Sequence, residues 1–361
     1  MRIAILCDNS LPYSAGVKPL NDISDALEEA EQETICISLD FKNNLYRVLK
    51  KRSDLWDMVP STGNIKNLQS ALKDYDVDYF ITDDYIPRIR TGIFLKESSR
   101  NSKLIIYVTL TFGLNYINSR NKSIGPIRRS ISFIPWRIIS RNYVKYLRKA
   151  DFVIPCSHSL GYLMSNVYGI NCSPAIYPPV KTINSAYIAD NTRSNLFVYL
   201  GHYPDYFIRD IESELHSFSE ILGISLDVLI SPHSKINFKL PKAIYHKNLS
   251  DSKLQSIYAR SKLTYVATAW EGFGYVGPES LTFGTPVILD TFQPWMEGFP
   301  AEANMVRLLN PKLSLTVQAS RFLNEPKNPT KAMEFIKKNF SNRTVSNKLI
   351  RLFEETTYET F

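Results

Sequence analysis

One stretch constrains the fold of this chain more than any other, the run from Leu263 to Leu289. Leu263-Thr-Tyr-Val-Ala-Thr268 is β-branched and aromatic, the composition of a buried strand. Glu271 stands just past its end. Gly272, Gly274 and Gly277 follow, and they permit a tight turn and close approach of the backbone to a ligand. Pro278 suits the first position of a helix, and Glu279 its first turn, where the dipole favours a carboxylate. Gly284 is a natural helix stop, and Val287-Ile-Leu289 opens another strand. Strand, glycine loop, helix, strand is one step of a parallel α/β sheet. Its loop lies at the carboxyl end of a strand, where open sheets bind ligands, and the helix N-terminus favours phosphate there. A plainer reading makes Glu279 a helix cap and Glu271 a surface acid. The acid pair, three glycines, Pro-Glu and Gly-Thr-Pro-Val together are more specific than that.

The rest of the chain repeats the alternation. Arg2 to Leu6, Thr34 to Leu39, Val77 to Thr82, Leu104 to Leu110 and Phe152-Val-Ile154 read as strands, and Pro19 to Glu31 as an amphipathic helix. Paired prolines in Ile176-Tyr-Pro-Pro-Val180 interrupt regular structure. A second series opens at Leu196-Phe-Val-Tyr-Leu200 and continues through Leu226 to Ile230, Ala243-Ile-Tyr245, Leu263 to Thr268 and Val287 to Leu289. Such alternation implies βαβ units and parallel sheets. The expectation is α/β, with two Rossmann-like doubly wound domains over residues 1–180 and 181–335 and a terminal helical segment over 336–361.

Composition excludes several classes. The chain has 361 residues, 44% hydrophobic and 22% charged, as in a soluble globular protein. No apolar run reaches membrane-spanning length, and Met-Arg-Ile-Ala-Ile-Leu-Cys-Asp reads as a first strand rather than a leader. Cys7, Cys36, Cys156 and Cys172 lack metal or redox spacing; Cys7 and Cys36 sit in strand-like runs and read as buried thiols. A cytoplasmic location is expected. No Asp/His metal motif stands out, so no metal ligand is assigned. Asp83-Asp84 follows a strand, and adjacent loop acids read as solvated.

The net charge of +8 is unevenly distributed. Between Ser98 and Ala150 there is no Asp or Glu, but eleven Lys and Arg. Residues 120–149 mix these cations with bulky apolar groups. Three readings compete: an anionic membrane surface, nucleic acid, or a core helix with one solvated basic face. Residues 137–149 fit helix periodicity through Ile138, Tyr143 or Val144, and Leu147. Nucleic acid is the weakest of the three, because no base-reading motif accompanies the charge.

The run from Glu271 to Val287 resembles the signature of the family-four retaining glycosyltransferases: an acid, Gly-Phe-Gly, a second Glu, then Gly-Thr-Pro-Val. Ala150-Asp-Phe-Val-Ile-Pro-Cys-Ser157, Tyr177-Pro-Pro-Val180 and Leu249 to Trp270 are similar to neighbouring parts of that family. The resemblance implies the GT-B fold, two Rossmann-like domains facing across a cleft, with the terminal helix crossing back to the first. It implies a nucleoside-diphosphate sugar as co-substrate, no cofactor or metal, and a glycan or lipid-linked acceptor at the membrane surface. It gives Glu271 to the transferred sugar or its phosphate and Glu279 to the ribose, with Gly272, Phe273, Gly274, Tyr275 and Gly277 around the donor.

The family's cations correspond here to His202 and Arg209, where an Arg and a Lys are usual. Arg209, able to clamp phosphate bidentately, is assigned to catalysis beside Glu271, and His202 to donor binding. Gly16 stands for the family's Gly-Gly loop on the donor side. Thr111 stands on the acceptor side where a His is usual. These exchanges leave a second reading open, a catalytically silent GT-B nucleotide-sugar-binding protein or partner subunit. A GT-B epimerase or phosphorylase is a third. The acids are not read as a hydrolase pair, because nothing sets them across a glycosidic bond.

Overall fold

A computed structural model describes residues 1–7, 18–40, 45–50, 68, 72, 76–99, 101–109, 140–181, 193–201, 211–230, 240, 242–268 and 271–358. The chain divides into two compact units. Of the described residues, the first holds those up to Pro179 and those from Phe340 onward, and the second holds Val180–Asn339.

The first unit runs β1 (Arg2–Cys7), α1 (Lys18–Glu29), β2 (Glu33–Asp40), β3 (Leu45–Lys50), β4 (Tyr79–Asp83), α2 (Ile86–Ser98), β5 (Lys103–Val108), β6 (Phe152–Pro155) and α3 (His158–Tyr168). Its sheet has the order β3-β2-β1-β4-β5-β6. All neighbours are parallel except β2 and β3, which pair antiparallel. The strand β3 is absent from the sequence reading, since Leu45-Tyr-Arg-Val-Leu-Lys50 carries no continuous apolar run. The central strands are apolar on both faces: Ile3 to Leu6 and Leu104 to Val108 are wholly buried, as a sheet covered on both sides requires.

The second unit runs β7 (Asn195–Gly201), α4 (Ile211–Leu222), β8 (Ser225–Ile230), β9 (Ala243–His246), α5 (Asp251–Arg260), β10 (Ser261–Val266), α6 (Val276–Thr282), β11 (Val287–Leu289), β12 (Val306–Leu308), α7 (Leu315–Asn324) and α8 (Pro329–Phe340). Its sheet, β12-β11-β10-β7-β8-β9, is parallel throughout. Leu196, Val198, Leu226, Val228, Leu263 and Tyr265 meet Leu215, Phe218 and Phe322 in one core. On the strand between Leu226 and Val228, Asp227 is fully buried and accepts from Asn195 Nδ2 at 2.9 Å and Arg260 Nη2 at 2.7 Å, with His246 Nε2 at 2.7 Å. Burial alone would raise its pKa; these partners hold it below the usual carboxylate value.

In both sheets the chain starts in the middle, fills one side, then returns to fill the other. This doubly wound order makes a switch point beside β1 and β4 in one unit and beside β7 and β10 in the other. The alternation, two sheets and parallel pairing match the α/β expectation, with β3 as the exception.

The last helix, α9 (Asn342–Tyr358), belongs to the first unit. Asn342 Nδ2 donates to Glu29 Oε1 at 2.6 Å. Phe353, fully buried, stacks on Tyr79 with ring centroids 4.5 Å apart, and the Tyr79 hydroxyl donates to the Phe353 carbonyl at 3.1 Å. Residues 140–147 are helical, with Tyr143 and Leu147 buried and Arg141 and Lys145 exposed. Over those residues the helix buries one side and exposes a basic face; residues 120–139, Ile138 among them, lie outside the described residues. Among the described residues no helix is long and apolar enough to cross a membrane.

Phe353→Ala removes the ring that seats α9. It should cost the first unit about 3–5 kcal/mol, read as a lower urea midpoint.

Candidate functional site

The loop between β10 and α6 is built against what lies beneath it. Trp295, fully buried in the short 3₁₀ turn Pro294–Met296, fills the space below Gly277. A β-carbon at 277 would meet its Cζ2 at 2.3 Å. At Gly274, where φ is +88°, a β-carbon would meet Gln293 Oε1 at 2.3 Å. Gln293 is itself fixed. Trp295 Nε1 donates to its Oε1 at 2.6 Å, and its Nε2 donates to Thr268 Oγ1 at 3.2 Å. The glycines therefore serve close packing of loop on indole and amide as well as turn geometry.

The helix α6 begins at Val276, two residues before the position expected for Pro278. Pro278 is thus its third residue, still within the first turn, where no intrahelical partner exists for an N–H. Glu279 is fourth, and its N–H already bonds the Tyr275 carbonyl at 3.0 Å. The end of the helix agrees with the sequence, because Gly284 has φ +66°. Thr264 and Ser280 hydroxyls meet at 2.7 Å, tying α6 to β10. Arg193 holds the other end, donating to the Gly284 carbonyl at 3.0 Å and Thr285 Oγ1 at 2.8 Å.

Glu271 and Glu279 are both half-buried. Burial pushes the Glu271 carboxyl up to about 7. Glu279 accepts a hydrogen bond from Tyr258 on α5, O to Oε2 2.9 Å. A third residue, Tyr199, lies within electrostatic reach of both acids. It is paired in register with Val266, and its carbonyl accepts from Ala267 N at 2.9 Å, so it sits at the carboxyl end of β7 beside the exit of β10. Burial, then Glu271 and Glu279, push its hydroxyl pKa up. One hydroxyl thus feels both carboxylates at the switch point of the second sheet. The sequence reading assigned neither Tyr199 nor Tyr258 to the site. A signal existed, since a tyrosine at a carboxyl strand end, or in a buried helix position, needs a partner for its O–H.

Gly272, Phe273, Gly274 and Tyr275 belong to this loop, and Gly277 to the first turn of α6 that follows it. Phe273 and Tyr275 meet edge to face at 5.2 Å. Gly16, Thr111, His202 and Arg209 lie outside the described residues, as does Trp270.

The first unit carries a second acid cluster at its own switch point, and here the expectation of solvated acids is overturned. Asp83 and Asp84 are buried. Asp83 accepts from Arg88, Nε to Oδ1 2.6 Å and Nη2 to Oδ2 2.5 Å. Asp84 accepts from Thr109 N and Oγ1 at 3.2 and 3.1 Å and from the Tyr143 hydroxyl at 3.1 Å. Burial and the Asp83 charge raise it to about 7. Each acid is buried because each finds donors, which adjacency in sequence does not reveal. Among the described residues no group of three His, Cys, Asp or Glu is arranged to hold a metal.

No family profile matches the chain, and no curated protein matches it in sequence. Among solved structures, sucrose-phosphate synthase from Thermosynechococcus elongatus superposes with a TM-score of 0.70 at 14% identity, over 99% of this chain and 100% of that one. A glycosyltransferase from Rickettsia africae gives 0.64 at 15% identity, over 98% of each chain. Anabaena HepE, in complex with UDP and glucose, gives 0.64 at 12% identity, over 98% of this chain and 100% of that one. The fold is GT-B, with two Rossmann-like domains in one chain.

Two outcomes follow from this geometry. Gly277→Ala should destabilise the second unit by about 1–3 kcal/mol in urea unfolding, because a buried indole has no room to yield. The second concerns pH. Glu271 holds its proton in the folded state up to about 7, against an ordinary value of 4.5. The folded state therefore binds more protons between those values, and this contribution to stability is lost as pH rises through 7. Glu271→Gln should flatten the fall in urea midpoint between pH 5 and 8; an unchanged slope would contradict the assignment. The slope that remains is ascribed to Asp84, which titrates in the same window.

Proposed function

We propose that this protein is a retaining glycosyltransferase, moving a sugar from a nucleoside-diphosphate sugar to a hydroxyl of a glycan or lipid-linked acceptor. The observation that carries the reading is the pair Glu271 and Glu279, on the two arms of one glycine loop at the carboxyl ends of β7 and β10, both acting on Tyr199. The fold shared along the whole chain with glycosyltransferases supports it, as does a neighbour that holds UDP and glucose.

In this reading the bond from the anomeric carbon to the diphosphate breaks as a bond from the acceptor oxygen forms on the same face. The acceptor's proton passes to the departing phosphate. Negative charge gathers on the leaving group, so the site must not repel it. A carboxyl with a pKa near 7 is partly protonated at neutral pH and can donate toward a sugar or phosphate oxygen there. Glu271 takes that place, and Glu279 takes the ribose hydroxyls. Gly272, Phe273, Gly274, Tyr275 and Gly277 line the donor, and Gly16 is assigned to donor binding by the family resemblance alone. His202 and Arg209, which follow β7 in the chain, supply positive charge to the diphosphate. Thr111 serves the acceptor. The chemistry asks for no cofactor or divalent ion beyond the nucleotide sugar. The protein works in the cytoplasm, where the basic face that includes Arg141 and Lys145 meets an anionic membrane; nucleic acid is not a partner.

A thermal-shift panel of UDP-, GDP- and ADP-sugars tests the reading, since a ligand at a hundred times its Kd stabilises by about 2.7 kcal/mol. Glu279→Ala should weaken binding of the responding nucleotide sugar at least about tenfold, the scale of one lost charge-assisted hydrogen bond. Unchanged affinity in that variant would sink the site.

A further inference from the structure

Tyr258 is a buried aromatic of the second unit whose hydroxyl donates to a carboxylate of the candidate site, Glu279. The ring is fully enclosed. Phe197 meets it edge to face at 5.4 Å, and Phe283 lies tilted against it at 5.8 Å. Its backbone is held as well. The Tyr258 carbonyl accepts from Ser261 N at the end of α5 and from Thr285 Oγ1 at 2.8 Å. Thr285 Oγ1 in turn receives Arg193 Nη1 at 2.8 Å. Both torsions of the side chain are thereby set before any ligand arrives. The one polar atom of the side chain, its hydroxyl, donates to Glu279 Oε2 at 2.9 Å.

We propose that Tyr258 is a positioning residue for nucleotide recognition: by donating to one oxygen of Glu279 it fixes the plane of that carboxylate toward the two ribose hydroxyls. This rests on the reading of Glu279 as the ribose-binding acid. A glutamate has three side-chain torsions, and ordering a long side chain on binding costs affinity. A donor anchored in a rigid aromatic wall removes that cost in advance, as an outer partner orients a ligand-binding group elsewhere. Tyrosine suits the task because burial and the neighbouring Glu279 charge push its hydroxyl pKa up, so it stays a neutral donor. Phenylalanine would preserve the packing and delete only the O–H.

The test uses the full chain, with UDP, GDP and ADP as probes and calorimetry as the readout. For whichever diphosphate wild type binds, Tyr258→Phe should weaken affinity about ten- to a hundredfold, the range for a hydrogen bond to a charged group. Against the matching 2′,3′-dideoxy diphosphate, wild type and variant should bind alike, because the hydroxyls that Glu279 serves are gone. A purely structural role predicts equal losses for both probes, and that result overturns the proposal, as does no loss for either. Glu279→Gln provides a second route should Tyr258→Phe fold poorly: its own loss should be confined to the ribose-bearing probe, and in its background Tyr258→Phe should add little. Independent, additive losses would overturn the proposal. If wild type binds none of the three diphosphates, the glycosyltransferase reading itself fails, a result distinct from every outcome above.

Discussion

The approach of the glycine loop to Trp295 is the contact on which the second unit's site depends. A buried indole cannot move aside, and two β-carbon positions in the loop fall within 2.3 Å of Trp295 or Gln293. Only glycine fits at both. The loop in turn sets where α6 starts and so where Glu279 points. Its other arm leaves Glu271 at the exit of β10. Thr268, at the strand's end, receives the Gln293 amide, so strand, loop and 3₁₀ turn are one hydrogen-bonded piece. Placing charged groups in a half-buried site requires such a frame, because a mobile loop would let water relax the carboxylates and erase their effect.

The sheet order supplies the rest of the frame. Both units wind outward from a central strand in each direction, which leaves a crevice beside that strand's carboxyl end. In the second unit the crevice is bounded by β7 and β10, and the two glutamates and Tyr199 gather there. In the first, β4 delivers Asp83 and Asp84 to the equivalent position. Within the first unit's cluster the two acids are buried in different ways. Asp83 is paired with a guanidinium, while Asp84 is held by hydroxyl and amide donors.

Much of this was legible in sequence, and the part that was not has a physical cause. The central strands of both sheets were readable because strands buried on both faces are continuous apolar runs. The edge strand β3 was not, since Arg47 and Lys50 interrupt its pattern, and β12 is only three residues long. The glycine loop and its two acids were readable because their spacing is local. Tyr258 and Glu279 meet across 21 residues, Glu271 and Glu279 act on Tyr199 of another strand through their charge, and Asp84 meets Tyr143 across 59 residues. Partnerships at that separation follow from topology and register, which residue patterns do not carry. The start of α6 was misjudged for a smaller reason: proline is tolerated anywhere in the first turn, so Pro278 marks that turn and leaves its first residue open.

Two residues of one type, eight positions apart, are given different environments by the frame around them. Glu279 receives a phenol from a rigid wall, a hydrogen bond that fixes the orientation of its side chain. At Glu271 burial dominates, and the proton is retained to about 7. The function proposed above, with a neutral diol at Glu279 and growing negative charge near Glu271, would call for this asymmetry. Two equally exposed glutamates would both be ionised at neutral pH and would repel the same anion. Pairs of acids made unlike by their surroundings are how a single loop divides anchoring from chemistry. The buried aromatic wall of Phe197, Tyr258 and Phe283 is therefore as much a part of the site as the loop: it carries the donor that makes Glu279 unlike Glu271.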